Sequence, residues 1–123
     1  MERNKMMIIL TTGPDDRGNR ATLAYTMGVT ALISGVDVEI FLTMGGTFWS
    51  RATPVKSVHI QGFDPLWEYV EQFRELGGRI LVCSPCNDFY CAAAGAESML
   101  EGAEIAGLTH VVDSALDASV VTF

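Results

Sequence analysis

The sequence predicts a single α/β domain, a three-layer sandwich around a mostly parallel sheet of about five strands. Short apolar runs alternate with helical segments, the pattern of strands joined by helical crossovers. The first run, Lys5 to Thr11, is apolar almost throughout, as a strand covered on both faces requires. With 123 residues, 49% of them hydrophobic, the chain has material for one core, since domains typically run to roughly 100–150 residues. No repeat, linker or low-complexity tract divides it, so residues 1–123 are read as one unit.

The turn-rich segment Thr12 to Gly18 separates the first strand from a helix expected over Asn19 to Ser34. Leu23, Met27 and Leu32, with Ala24, Gly28 and Ala31, form the expected buried face, and Gly35 supplies the stop. Val36 to Thr43 is the second strand, its early alternation marking one end as less buried. Met44-Gly45-Gly46 then opens a long stretch to Gly62 that reads as irregular. Asp64 is the expected N-cap and Pro65 the first residue of the next helix. Leu66, Val70, Phe73 and Leu76 repeat there at helical spacing, and Gly77-Gly78 closes it. Arg79 to Cys83 is the third strand. Another helix is expected from Ser84 or Asn87 towards Ala94 and Gly95. Ala103 to Ile105 reads as a short strand, Leu108 to Leu116 as a helix, and Ser119 to Phe123 as the last strand.

Eight Lys and Arg against fifteen Asp and Glu give a formal charge of −7. That balance excludes binding to a phosphate backbone or an anionic bilayer through clustered cations. The apolar run Met6 to Leu10 is too short for a signal peptide. The uncharged stretch Ala21 to Val36 falls short of the ~20 apolar residues of a membrane span. The chain therefore reads as cytoplasmic, with neither nucleic acid nor membrane as partner.

In open α/β sheets, ligands bind beyond the carboxyl ends of the strands. Three loops fall there: Thr12 to Gly18, Gly45 to Gly62, and Cys83 to Cys91. The last holds all three cysteines of the chain, too few for a secreted disulfide scaffold. Cys83 ends a strand just ahead of a helix N-terminus, where the partial positive charge favours a thiolate. If Ser84 caps that helix, Cys86 lies in its first turn. If Asp88 caps it, Cys91 takes the third helical position. The plain alternative is that these cysteines pack as small hydrophobes. A thioredoxin-type reading of Cys-Ser-Pro-Cys wants the motif early in the fold, not after two βα units. Three thiols with no fourth cysteine, and with His59 and His110 distant in sequence, make a metal site within one chain unexpected. No cofactor is expected.

Thr12, Gly45 and Gly46 are the candidate substrate-binding positions. Paired glycines at a strand end allow a ligand close to the backbone. Thr11-Thr12-Gly13 has a faint likeness to a flavodoxin phosphate loop, but Asp15 and Asp16 would repel a phosphate, and a plain turn is the simpler reading. Phe48 and Trp49 are expected either to lid a pocket or to bury in a subunit contact. Arg51 and Lys56 offer cations to an anionic sulfur donor, or are solvated charge. His110 reads as structural, and His59 has no identifiable partner.

An ordered set of segments runs through nearly the whole chain, from Lys5 to Phe123: an apolar strand ending Thr-Thr-Gly-Pro, a small-residue helix, Gly-Val-Asp-Val-Glu-Ile-Phe-Leu and Gly-Gly. After these come Gly-Gly-Arg-Ile-Leu-Val-Cys, Leu-Glu-Gly-Ala-Glu-Ile-Ala-Gly-Leu and a terminal Val-Val-Thr-Phe. It resembles the DsrE/DsrF-like sulfur carriers, which include TusD-type relay subunits and YchN-like proteins. The resemblance implies a YchN-like fold, assembly as a homotrimer or homohexamer, and a persulfide on the cysteine that closes the third strand, here Cys83. Cys91, or failing it Cys86, would then accept that sulfur or resolve it as a disulfide. The segment from Cys83 to Gly95 is longer than in the simpler carriers, and its second cysteine resembles the arrangement in DsrE-type carriers. The expected function is transfer of sulfane sulfur between donor and acceptor thiols, whether proteins or small sulfane-sulfur compounds. A non-enzymatic oligomeric binding module and a disulfide- or peroxide-reactive thiol protein are the alternatives.

Overall fold

The computed structural model describes residues 4–91 and 97–123, apart from the side chains of Tyr90 and Cys91. Five strands form one sheet: β1 (Lys5–Leu10), β2 (Asp37–Leu42), β3 (Arg79–Cys83), β4 (Glu104–Ala106) and β5 (Ser119–Thr122). Their spatial order is β4-β3-β2-β1-β5 and every pairing is parallel. The chain steps one way from β1 to β4 and then returns to the far side of β1, so right-handed crossovers place the last helix opposite the earlier ones. Helices α1 (Asn19–Ile33) and α3 (Leu66–Glu75) thus share one face with the short α2 (Ala52–Lys56), and α5 (Leu108–Leu116) covers the other. This is the expected three-layer sandwich.

Strand alternation divides the core in two. Ile8, Leu10, Ile40, Leu42, Ile80 and Val82 face α1 and α3. Met7, Phe41, Leu81 and Cys83 point the other way, towards Val111 of α5. The second set is the smaller; among the described residues α5 and the short turn at Cys86 cover that face.

The structure departs from the sequence reading at several points. Helix α1 is rotated from the expected face: Leu23 is 44% exposed, while Tyr25 and Val29 are buried and Met27 and Leu32 sit at the margin. Tyr25 packs edge-on against Phe73, with ring centroids 5.5 Å apart, and aromatic contact outweighs the aliphatic positions used to draw the face. The stretch after β2 is ordered rather than irregular, with a 3-10 segment at Met44–Ser50 followed by α2. Pro65, not Asp64, occupies the N-cap of α3. Leu76 is exposed beyond the end of that helix, whereas Leu66, Val70 and Phe73 are fully buried as expected. Strand β4 begins at Glu104. The expected helix end at Ala94 and Gly95 lies outside the described residues.

The start of β2 is its less buried end, as expected, with Asp37 exposed, but Glu39 two residues on is buried. Ser114 Oγ donates to its Oε1 (2.5 Å), and the Arg79 guanidinium (2.8 Å) and His110 Nε2 (3.1 Å) meet its Oε2. Lys5 Nζ adds a charge at 3.7 Å and donates to Ser114 Oγ (2.8 Å). Burial pushes the Glu39 carboxyl up, but hydrogen bonds from Ser114 and His110 and the Lys5 charge hold it below the ordinary carboxylate range. His110 and Ser114 lie one turn apart on α5, so this carboxylate pins the helix to the amino-terminal edge of the sheet. The structural role expected of His110 is the one it has.

Candidate functional site

At the opposite, carboxyl-terminal edge, β3 ends on Cys83, and the chain turns at once into α4 (Ser84–Cys86) and a π-helical turn, Asn87–Cys91. Cys83 is itself the N-cap residue, in extended conformation, so Cys86 falls in the first turn three residues on. Pro85 has no N–H to offer there, and three α-helical residues align few peptide dipoles. Stabilisation of a thiolate must therefore come from particular donors rather than from a helix end.

Those donors converge on Cys86. The Met44 backbone N–H points at its Sγ at 3.2 Å, and the Thr43 hydroxyl oxygen lies 3.5 Å away. The Cys83 thiol is a third hydrogen-bonding partner. Burial pushes the Cys86 thiol up, but Thr43, Cys83 and the Met44 N–H together hold it below the ordinary thiol range. Cys86 is 9% exposed and Cys83 only 4%. The sequence reading puts the thiolate first on Cys83; in the structure Cys83 packs with Met7, Phe41, Leu81 and Val111, and its thiol is a hydrogen-bonding neighbour of Cys86. Cys91 closes the π turn, and its side chain lies outside the described residues.

Met44 adopts a left-handed backbone conformation, φ 52°, which a non-glycine residue enters at a cost. It is the residue whose N–H meets Cys86. Its side chain, 54% exposed, brings Sδ within 4.0 Å of the Cys86 sulfur, so a thioether stands between the thiol and solvent.

Of the candidate binding positions, Thr12 and Gly45 line one cavity of about 470 Å³ together with Thr11, Gly13, Pro14, Asp15 and Phe48. Gly46 does not line it. A Cβ on Gly46 would lie 1.9 Å from the Leu10 carbonyl oxygen, and its N–H bonds the Thr11 and Thr43 carbonyls, so this glycine joins the second loop to the end of β1. Trp49 neither lids a pocket nor waits for a subunit: it is 2% exposed, and its indole N–H donates to the Thr12 carbonyl at 2.9 Å. Phe48 is half-buried in the cavity wall.

Arg51 is not free to meet an anion. It donates to the Glu97 carbonyl and to Asn87 Oδ1, both at 3.0 Å, and so clamps the chain on either side of residues 92–96. Lys56 lies over the Trp67 ring at 4.5 Å, and His59 Nε2 meets the Phe63 carbonyl at 2.9 Å. Sequence reasoning missed Thr43 and Met44. The signal available was their place at the end of β2, directly before the glycine pair. Among the described residues, no three His, Cys, Asp or Glu side chains converge as for a metal ion, and no helix is long and apolar enough to cross a membrane.

The chain is similar over most of its length to known proteins. An uncharacterized protein of Methanocaldococcus jannaschii, MJ0989, is 30% identical over 122 residues, covering 97% of this chain and 99% of that protein. Another from Methanopyrus kandleri, MK0008, is 29% identical over 104 residues, covering 85% and 81%. The crystal structure of the Escherichia coli YchN protein superposes with a TM-score of 0.75 at 16% identity, covering 98% of this chain and 99% of that one. MTH1491 of Methanobacterium thermoautotrophicum, a protein of unknown function, gives 0.67 at 16% identity, covering 99% and 100%. These two show the fold. The family model described as DsrE/DsrF-like matches residues 4–123, from the first strand through the thiol-bearing turn to the last residue, and the chain belongs to that family, one generally linked to sulfur relay.

Proposed function

We propose that the protein carries sulfane sulfur as a persulfide, loaded first on Cys86, between a donor and an acceptor thiol. The observation that carries this reading is the convergence of the Thr43 hydroxyl, the Cys83 thiol and the Met44 N–H on one sulfur at the carboxyl edge of the sheet. A thiolate attacks sulfane sulfur and a thiol does not. The formal charge of −7 and Asp15 in the wall of the cavity beside Gly45 disfavour an oxyanion such as thiosulfate. A persulfidated thiol is the donor they favour. Thr12 and Gly45 are the positions proposed to meet it, and Cys91 is the proposed onward thiol.

The test is intact-mass analysis after exposure to a persulfide donor, with peptide mapping of the added sulfur. Cys83→Ser protein should gain one sulfur atom on Cys86, and Cys86→Ser protein should gain none. An undiminished adduct in Cys86→Ser, or no adduct in any form of the protein, refutes the reading.

A homo-oligomer, trimeric or hexameric, is part of the same proposal. Leu108, Val112 and Leu116 lie four residues apart along α5, and all three are exposed, as are Ile105 and Val120 on the strands at the two sheet edges. An exposed apolar stripe along α5 suits a subunit contact. Val112→Glu should shift the protein to monomer in light scattering. Monomeric wild type at micromolar concentration would refute the assembly.

A further inference from the structure

Cys83 and Cys86 stand in an arrangement that carriage alone does not require. They are three residues apart across the start of α4, both free thiols packed in the same apolar cluster, with Cys83 a hydrogen-bonding neighbour of Cys86. Cys83 is closed to solvent at 4% exposure, so no external donor or acceptor reaches it first, and Cys86 is the sulfur that it meets. A buried thiol held against a loaded neighbour is placed to resolve it.

We propose that the Cys83–Cys86 pair releases the carried sulfur as sulfide, a reaction that turns the carrier into a persulfide-reducing protein. The inference rests on the reading above, that Cys86 holds the persulfide. The Cys83 sulfur attacks Cys86 Sγ, and the Cys83–Cys86 S–S bond forms as the bond from Cys86 to its sulfane sulfur breaks. The sulfane sulfur leaves with the bonding pair as hydrosulfide, and the proton shed by Cys83 goes to it or to solvent. The two cysteine sulfurs are oxidised to the disulfide and the sulfane sulfur is reduced to sulfide, so the step needs no outside oxidant. A dithiol reductant then restores both thiols and becomes a disulfide itself. Such exchange depends on access and on which sulfur is attacked, and burial of Cys83 beside Cys86 settles both. Thr43 and Met44 hold Cys86 in place.

The experiment loads the fully reduced protein anaerobically with glutathione persulfide, removes free donor by desalting, and follows intact mass and released sulfide together. Wild type should lose any added sulfur and finish lighter than the reduced chain by two hydrogens, with one sulfide released per chain. Its disulfide should map to Cys83 and Cys86. Cys83→Ser should keep one added sulfur on Cys86 and release no sulfide, its fold checked by circular dichroism. A persistent adduct on wild type, as stable as that on Cys83→Ser, overturns the release while leaving carriage intact. A disulfide joining Cys86 to Cys91 in its stead overturns the role given to Cys83. No added sulfur on Cys83→Ser and no sulfide from wild type overturns both readings.

Discussion

Replacing Met44 by Gly and by Ala separates what its backbone does from what its side chain does. Both variants remove the same thioether from above Cys86, so the packing loss cancels when they are compared. What differs is the residue asked to hold φ 52°. An alanine there meets the left-handed penalty of about 1–2 kcal/mol, which glycine escapes. Glycine loses about 0.5–1 kcal/mol more chain entropy on folding. The difference leaves Met44→Gly the more stable of the two by about 0.5–1 kcal/mol, the reverse of the order at an ordinary helical site. Urea unfolding of the pair measures it. The N–H remains in both variants, so the pH profile of Cys86 alkylation should keep its midpoint while the plateau rate rises with the cover gone. Alanine as stable as glycine would show that the left-handed turn is not held. An unchanged plateau rate in both variants would show that the thioether does not shield the sulfur.

Other perturbations read the rest of the framework. Gly46→Ala sets a Cβ 1.9 Å from the Leu10 carbonyl oxygen, in backbone that cannot move without breaking β1, and should cost about 3 kcal/mol in urea unfolding; wild-type stability would refute the close approach. The Tyr25 hydroxyl is buried without a hydrogen-bond partner among the described residues, so Tyr25→Phe should gain about 1 kcal/mol, and a loss in the same assay would reveal a partner. Glu39→Ala strips Ser114, Arg79 and His110 of their shared acceptor and should cost about 2 kcal/mol, moderated because the half-exposed Arg79 regains water. Because the folded state lowers the Glu39 pKa from 4.5, its contribution is present above that value and lost as pH falls through the lower folded one. Wild-type unfolding midpoints should drop across that acid range, and those of Glu39→Gln should drop less.

Much of the fold was legible because it is written in local pattern. β3 and α5 have the bounds that their apolar spacing and flanking glycines imply, at Arg79–Cys83 and Leu108–Leu116. Errors came where contacts distant in sequence decide. Trp49 looked like a surface aromatic until the Thr12 carbonyl, 37 residues earlier in the chain, took its N–H. The burial of Glu39 inside Val-Asp-Val-Glu-Ile-Phe-Leu has no local signal, because its partners arrive from β1, β3 and α5. The site follows the same rule. The cysteine cluster and its place at the sheet edge could be read directly, but a helix-end argument favoured Cys83. The donors that favour Cys86 come from Thr43 and Met44, and nothing local to Cys86 announces them.

The donors around Cys86 are all neutral: a hydroxyl, a thiol and a peptide N–H. A lysine or histidinium beside the sulfur would lower its pKa further, yet a thiolate loses nucleophilicity as its pKa falls. The most effective attacking thiol has a pKa near the ambient pH. Here burial pulls the Cys86 pKa up while three dipoles pull it down, and the net shift is downward. The chain carries fifteen acidic side chains against eight basic ones, and it stabilises one more negative charge without committing a cation to it. Arg51, the guanidinium tied to Asn87 just beyond Cys86, anchors the turn instead. Because Cys83 is one of the three donors, the contact that favours the thiolate also brings the second thiol to it.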